Sequence, residues 1–247
     1  MKKIFAGLLA VAFGIVLLIG ISLNTGLFGY NDSLPEDGAA SHYISKDVNG
    51  KTDEVVFGET TGAETGSANM VTSVIANYRS FDTLGEVTVL FLAALGVSLL
   101  AGTMDKGRKR SGSGFILRTS ARILFPLMLV TGIYIFTHGH LTPGGGFPGG
   151  SMIASSFLLL YLADESFRAN VKGFKVAEGL AGTLYVAIGI VGLLAAGYFL
   201  VNFLPTGTVG NLLSAGIIPV VYVIIGLKVG SEITGIVADM FNEEVKA

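Results

Sequence analysis

ILFPLMLVTGIYIFTHGHLTPGGGFPGGSMIASSFLLLYLA, residues Ile123 to Ala163, runs for 41 residues without Asp, Glu, Lys or Arg. One bilayer crossing needs about 20 apolar residues, so this run holds enough sequence for two. Its middle supplies the break: Pro143, Gly144, Gly145, Gly146, Pro148, Gly149 and Gly150. Proline removes a backbone donor and glycine favours turns, so helix ends there. The spacing predicts one helix over 119–138 and a second, short one over 149–164 that is tilted or partly re-entrant.

Working outward, Gly179 to Leu227 is a second long run, 49 residues without charge. Pro205, Gly207 and Gly210 interrupt it between Asn202 and Asn211, which predicts helices over 176–202 and 211–240. Val87 to Met104 is uncharged and predicts a helix over 84–104. Ile4 to Leu23 gives 20 more uncharged residues and predicts a helix over 4–23. Lys2 and Lys3 before it would suit a signal peptide, but the apolar core exceeds a typical signal core and no small-x-small cleavage site closes it. It reads as an uncleaved helix. The fold class is therefore an all-α integral membrane protein with six transmembrane helices. They fall into two modules: a two-helix module over 1–104 that includes a loop over 24–83, and a four-helix module over 119–247. A basic linker over 105–118 joins them.

Composition agrees. Charged residues are 14% of the 247, against about 25% in soluble domains, and the mean hydropathy is +0.68. A disordered chain, a basic nucleic-acid binder and an ordinary soluble enzyme are excluded. The chain has no Cys, which excludes a disulfide, a thiolate metal site, a thiol nucleophile and the usual iron–sulfur ligation. No cofactor is expected on this chain, and three His leave little scope for a metal.

Lys and Arg set orientation. Residues 104–122 carry a net +5 and residues 24–83 a net −6. With the N-terminus inside, six helices put the basic linker and the C-terminus inside, and the acidic loop and the glycine loop outside. The acidic loop lacks a sustained apolar period and reads as a connector. At its end Met70, Val71, Val74, Ile75 and Tyr78 follow helical spacing, which predicts an amphipathic surface helix leading into the second span.

Three places could carry chemistry. Asp82 and Glu86 are four apart and share a helix face. Two carboxylates there would attract a cation or pass a proton, or else lie at the water interface with Asp82 as an N-cap. His138 and His140 each titrate near neutral pH. They could relay protons, hold a metal if a third ligand came near, or simply pack against the glycine loop. Lys228 and Glu232 are an i, i+4 pair that reads as a structural bridge, a relay, or a self-neutralising pair near the inner interface. The loop Pro143, Gly144, Gly145, Gly146, Phe147 lacks the Lys and Ser/Thr of a phosphate loop. Its glycines suit tight packing against a neighbouring protein or the lining of a hydrated path.

Two resemblances follow from these residues. Thr65 to Val97, around Arg79-x-Phe81-Asp82-Thr83-Leu84-Gly85-Glu86, resembles the short MbhE-type component of archaeal-type membrane-bound hydrogenases. It also resembles the end of the large MrpA component of the Mrp multisubunit Na+/H+ antiporter. The second half resembles the MrpB (MnhB-type) component and its MbhF-type counterpart in the hydrogenase. It does so through His138-Gly139-His140-x-x-Pro143-Gly144-Gly145-Gly146-Phe147-x-Gly149-Gly150 and Gly226-Leu227-Lys228-x-Gly230-x-Glu232. Together they cover about three quarters of the chain, from Thr65 onward.

The resemblance implies a membrane subunit of a cation-translocating module, working with other membrane subunits on Na+ and H+ and not an enzyme by itself. It implies that Glu86 is an ion- or proton-pathway acid with Asp82 near it. His138, His140 and Pro143 would shape the outer loop, and Lys228 and Glu232 would sit in the last helix. A bracing subunit, and the ion-translocating arm of a hydrogenase or sulfur-reducing complex, are the competing settings.

Overall fold

The computed structural model describes residues 55–103 and 114–241, together with Val11, Ala12, Gly14, Ile15, Leu18 and Ile19. Met1–Lys46 and Asp47–Ala247 are separate compact units. Of the helix expected over 4–23, the six residues just named are helical. The rest of it, loop residues 24–54 and linker residues 105–113 lie outside the described residues.

In the second unit a four-residue helix, α1 (Met70–Ser73), runs into a π-helical turn at Val74–Tyr78. Five long helices follow: α2 (Ser80–Thr103), α3 (Phe115–Thr137), α4 (Gly146–Ala163), α5 (Val171–Ala196) and α6 (Ile218–Phe241). Each is long and apolar enough to cross a membrane. Among the described residues there is no strand, only an isolated bridge between Thr61 and Thr208.

The protein is a multi-pass, all-helical membrane protein organised around α6, which packs against α2, α3, α4 and α5. The sequence of α6 explains its central place. Gly226, Gly230, Ser231, Thr234 and Ala238 bring little bulk to the faces it shares, and all are buried. Small residues let membrane helices approach closely, which matters because lipid gives no hydrophobic drive for association.

α4 answers with glycines of its own. A Cβ on Gly150 would sit 2.8 Å from the carbonyl oxygen of Gly226, and one on Gly146 would sit 2.5 Å from Ile225 Cγ2. On the α3 side a Cβ on Gly149 would lie 2.7 Å from the Gly132 carbonyl oxygen. The glycine loop was expected to meet a neighbouring protein or line a wet path. Here its glycines pack against the chain's own helices, and only Gly145 uses glycine's conformational freedom, at φ 137°.

Two expectations give way. The helix expected over 176–202 stops at Ala196. Gly197 takes the left-handed conformation, and the chain folds back so that Leu200 N–H donates to the Gly189 carbonyl at 3.3 Å. The helix expected from 211 starts at Ile218, because the backbone before it is irregular. Asn202 holds that segment: its Nδ2 donates to the Ala215 carbonyl at 3.1 Å and its Oδ1 accepts from Ile217 N–H at 3.0 Å. Backbone off the helix at membrane depth needs such partners.

The end of the acidic loop is also more than a connector. Gly58 N–H donates to the Val209 carbonyl at 2.8 Å, Gly62 N–H to the Gly207 carbonyl at 2.9 Å, and Val209 N–H to the Thr60 carbonyl at 3.0 Å. Residues 55–69 thus strap the α5–α6 connection.

Residues 70–78 are helical and lead into α2 as their spacing predicts, and the face turned to the protein is the small polar one. Val71 is 62% exposed and Ile75 is exposed, whereas Thr72, Ser73 and Ala76 are buried. The hydroxyls decide this: Thr72 Oγ1 donates to the Gly139 carbonyl at 2.7 Å and Ser73 Oγ to the Thr65 carbonyl at 2.6 Å. A hydroxyl with a partner can be buried without the desolvation penalty of an orphan, and the small face fits closer than the bulky one.

Candidate functional site

Lys228 and Glu232 come together as their spacing required. Lys228 Nζ donates to Glu232 Oε2 at 2.8 Å. Lys228 is 7% exposed and Glu232 1%. They are the eleventh and fifteenth residues of the 24 in α6, roughly 15 and 21 Å from its first residue at 1.5 Å rise per residue. The pair therefore lies near the middle of α6. Glu232 Oε1 is buried and has no hydrogen-bond partner among the described residues. The Lys228 ammonium also lies 5.6 Å from the centroid of the Phe91 ring on α2, within reach of a cation–π contact.

A cavity of about 240 Å³ between α2, α5 and α6 reaches Lys228 but not Glu232. Lys228, Phe91, Thr88, Gly182, Tyr185 and Glu178 are among the residues that line it. Glu178 was not singled out from the sequence. It lies two residues past the expected start of its helix, where a carboxylate looks like an interfacial charge. The helix starts at Val171 instead, so Glu178 sits two turns inside it, close enough to Glu232 for the two carboxylates to repel. The signal that could have found it is a lone acid followed by Gly179 and Gly182, which leave space for a partner.

The other sequence candidates stay apart. Asp82 is exposed at the start of α2 and pairs with Arg79, whose Nε donates to Asp82 Oδ2 at 2.6 Å. Glu86 is exposed on α2 and within electrostatic reach of Tyr185 and Tyr222. Tyr185 donates its hydroxyl to the Ser80 carbonyl at 3.0 Å and Tyr222 to Thr72 Oγ1 at 3.1 Å.

His138 caps α3 with its ring stacked on Tyr134, centroids 4.2 Å apart. His140 turns the other way. It is fully buried, and its Nε2 is 3.0 Å from the Leu212 carbonyl. Burial holds its imidazole below the ordinary value, so it is neutral at pH 7. As a neutral ring it donates from Nε2 to that carbonyl and keeps Nδ1 as an acceptor with no partner among the described residues. The two rings therefore face different neighbours. Among the described residues no group of three His, Asp or Glu is placed to hold a metal ion.

Asn69 joins its own segment to the turn between α3 and α4. Its side chain donates to the Gly139 and Thr142 carbonyls, both at 2.9 Å, and its backbone N–H donates to the His140 carbonyl at 3.0 Å. Pro143 and Gly144 follow in this turn, and Phe147 packs on the core beside α6. At the opposite end, Asp164 after α4 meets Arg122 at 2.7 Å and Arg118 at 3.2 Å. The Ser166 hydroxyl and then Arg122 pull its carboxyl down to about 2.

Two family models match in tandem. One is a domain related to the MnhB subunit of a Na+/H+ antiporter, over residues 116–235, and the other is MbhE, a component of MBH, over residues 39–105. A chain of the membrane-bound sulfane sulfur reductase, an archaeal respiratory membrane complex, is 42% identical with a TM-score of 0.69. The match covers 95% of this chain and 98% of that one. The chain belongs to the same family as that reductase chain, with an MbhE segment ahead of an MnhB-related domain. An uncharacterized protein of Methanocaldococcus jannaschii is 32% identical over 189 residues, 65% of this chain and 72% of that protein. The Mrp complex from Dietzia sp. DQ12-45-1b shares the fold, with a TM-score of 0.65 at 22% identity. That match covers 97% of this chain but only 26% of the Dietzia chain.

Proposed function

We propose that this MnhB-related chain is a membrane subunit of a multisubunit cation/proton antiporter module and contributes to the path of Na+, H+ or both. The observation that carries this is the Lys228–Glu232 pair, buried near the middle of α6 with one carboxylate oxygen unpartnered. Ionisable groups at that depth are expensive, and they mark ion and proton routes more often than they add stability. Glu86 and Asp82, exposed near the start of α2, and His138 and His140 near the end of α3 form the mouth of the route in this reading. The chain is a transport subunit and no enzyme by itself. Its termini face the cytoplasm, and its two modules meet at the basic linker over 105–118. Other membrane subunits cover the apolar faces of α2 and α3.

The test uses the assembled complex in everted vesicles. Glu86→Gln and Glu232→Gln should each abolish Na+/H+ exchange while the subunits still co-purify. Normal exchange in both assembled variants would remove the chain from the path. The rival reading, a bracing subunit, predicts that exchange and assembly fail together. The identity to a chain of a sulfur-reducing respiratory complex favours a redox-driven setting over a stand-alone antiporter. Iron–sulfur subunits in the purified complex would establish that setting. Large antiporter-like subunits without iron would refute it.

A further inference from the structure

The cavity between α2, α5 and α6, about 240 Å³ in volume, has an almost wholly apolar wall. Leu84, Val87 and Phe91 bound it from α2, and Gly179, Gly182 and Val186 from α5. An apolar cavity of about 150 Å³ stays dry and takes in benzene, so this one has room for a whole aromatic or branched aliphatic side chain. Left empty, it forfeits the contacts that its lining could make. α2 and α5 both pack on α6, and the cleft between them opens at the protein surface. Thr88 and Phe91 on its α2 side are exposed, and so are Gly179, Thr183 and Val186 on its α5 side.

Of the polar side chains that line the cavity, all but one are already bonded. Thr88 Oγ1 donates to the Leu84 carbonyl and Thr183 Oγ1 to the Gly179 carbonyl, both at 2.8 Å. The Tyr185 hydroxyl is taken by the Ser80 carbonyl and the Lys228 ammonium by Glu232. Glu178 is the exception, with no hydrogen bond or ion pair among the described residues. Lys175, three residues earlier, is exposed and makes no ion pair with it. Glu178 is the eighth of the 26 residues of α5, roughly 10 Å along the axis from Val171. A carboxylate inside a membrane span faces a partner or water, and this one faces an apolar cleft.

We propose that the cleft between α2 and α5 seats a transmembrane helix of another subunit, which fills the cavity with a bulky apolar side chain and sets a Lys or Arg against Glu178. Charge selects this occupant. A lipid hydrocarbon chain fills the volume but offers Glu178 no donor, and an anionic headgroup is repelled by it. A helix supplies both the apolar bulk and the cation. The α5 wall also suits a helix. A Cβ on Gly179 meets nothing within 4 Å, and one on Gly182 meets only Lys228 Cε, at 3.6 Å. Backbones approach closely over small residues of this kind, and an Arg could grip both oxygens of the carboxylate. The inference rests on the reading of the chain as a subunit of a membrane complex, and it holds whether or not ions pass through the chain.

The experiment places the photo-crosslinker p-benzoylphenylalanine at Thr183 in the assembled, purified complex, irradiates it and identifies the adduct by mass spectrometry. Thr183 lines the cavity, is exposed, and spends its hydroxyl within its own helix. The expected adduct lies on an apolar span of another subunit, with a Lys or Arg within about two turns of the crosslinked residue. Glu178→Lys should then lower co-purification of that subunit by about tenfold or more, as like charges across an interface do. Replacing the partner's basic residue with Glu should restore it, which a merely misfolded chain would not allow. An adduct on lipid alone, or on a span without a basic residue nearby, overturns the proposal. Full co-purification with Glu178→Lys, or no recovery in the double variant, overturns it as well. None of these readings uses Na+/H+ exchange, so Glu86→Gln and Glu232→Gln still judge the transport reading separately.

Discussion

Gly150→Ala is the substitution on which the packing account can be judged. The added methyl would sit 2.8 Å from the Gly226 carbonyl oxygen, 2.8 Å from Val229 Cβ and 2.9 Å from Gly230 N. Two of these atoms are α6 backbone and cannot swing aside. Comfortable separations begin near 3.5 Å, so α4 must back away from α6 by about 0.7 Å. Overpacking of this kind costs about 3 kcal/mol at the upper end of its usual range. Alanine returns about 1 kcal/mol through its better helix propensity, for a net loss of about 2 kcal/mol. Gly179→Ala is the matched control. The same propensity applies, a Cβ there meets nothing within 4 Å, and the change should stabilise by about 1 kcal/mol. The two variants should thus differ by about 3 kcal/mol, more than a hundredfold in the unfolding constant. Dodecyl sulfate titration of the purified protein in mixed micelles measures this, with near-UV circular dichroism of its tyrosines as the signal. Equal midpoints for the two variants would refute the close α4–α6 contact.

Four further outcomes are expected. Glu232→Gln strands the Lys228 ammonium and should cost about 3–5 kcal/mol in the same titration, whereas Lys228→Met combined with Glu232→Met should recover most of it, because apolar replacement of a buried pair is often neutral. Thr72→Val deprives the Gly139 carbonyl and the Tyr222 hydroxyl of a shared partner and should cost about 2 kcal/mol, with Thr72→Ser largely restoring it. His140 is held neutral by burial, below its ordinary 6.5. The unfolded state therefore binds the extra proton, so the stability of the loops packed around His140 is complete above about 6.5 and declines as pH falls below it. Hydrogen exchange over 55–69, corrected for intrinsic rate, should rise in that window, and His140→Asn should flatten the dependence. For Asp164 the folded value is about 2 against an ordinary 3.8. Its contribution is present above 3.8 and lost as pH falls toward 2, and Asp164→Asn should remove that part of the acid-unfolding profile.

The spans were legible because charge is expensive in lipid, and so uncharged runs of the right length admit few other readings. α2, α3 and α4 begin about four residues or fewer from their expected starts. The errors cluster where tertiary partners override local pattern. The helix expected to 202 ends at 196 because Gly189 and Gly192 accept the returning segment Phe199–Val201 against their bare faces. The helix expected from 211 waits until Ile218 because Asn202, distant in sequence, satisfies the backbone that a helix would have satisfied itself. α1 turned its hydroxyls inward because carbonyls of another loop were waiting for them, which no periodicity encodes. Within the site, Lys228 and Glu232 were readable as neighbours because one helix carries both. Glu178 was not, because its relation to them exists only once α5 lies against α6.

The strap between residues 55–69 and the α5–α6 connection bears on how this protein is made. Thr61 meets Thr208 across 147 residues of chain, and Thr72 meets Tyr222 across 150. At about 5–20 residues per second, a ribosome needs roughly 7–30 s to produce the second partner after the first. Throughout that interval Gly58, Thr61 and Gly62 are synthesised without their partners. This cap therefore closes late, and its closure reports that the start of α6 has been made. A nascent chain truncated before the α5–α6 connection would leave the Gly58 and Gly62 backbone donors open to quality-control proteases, whereas a complete chain would hide them.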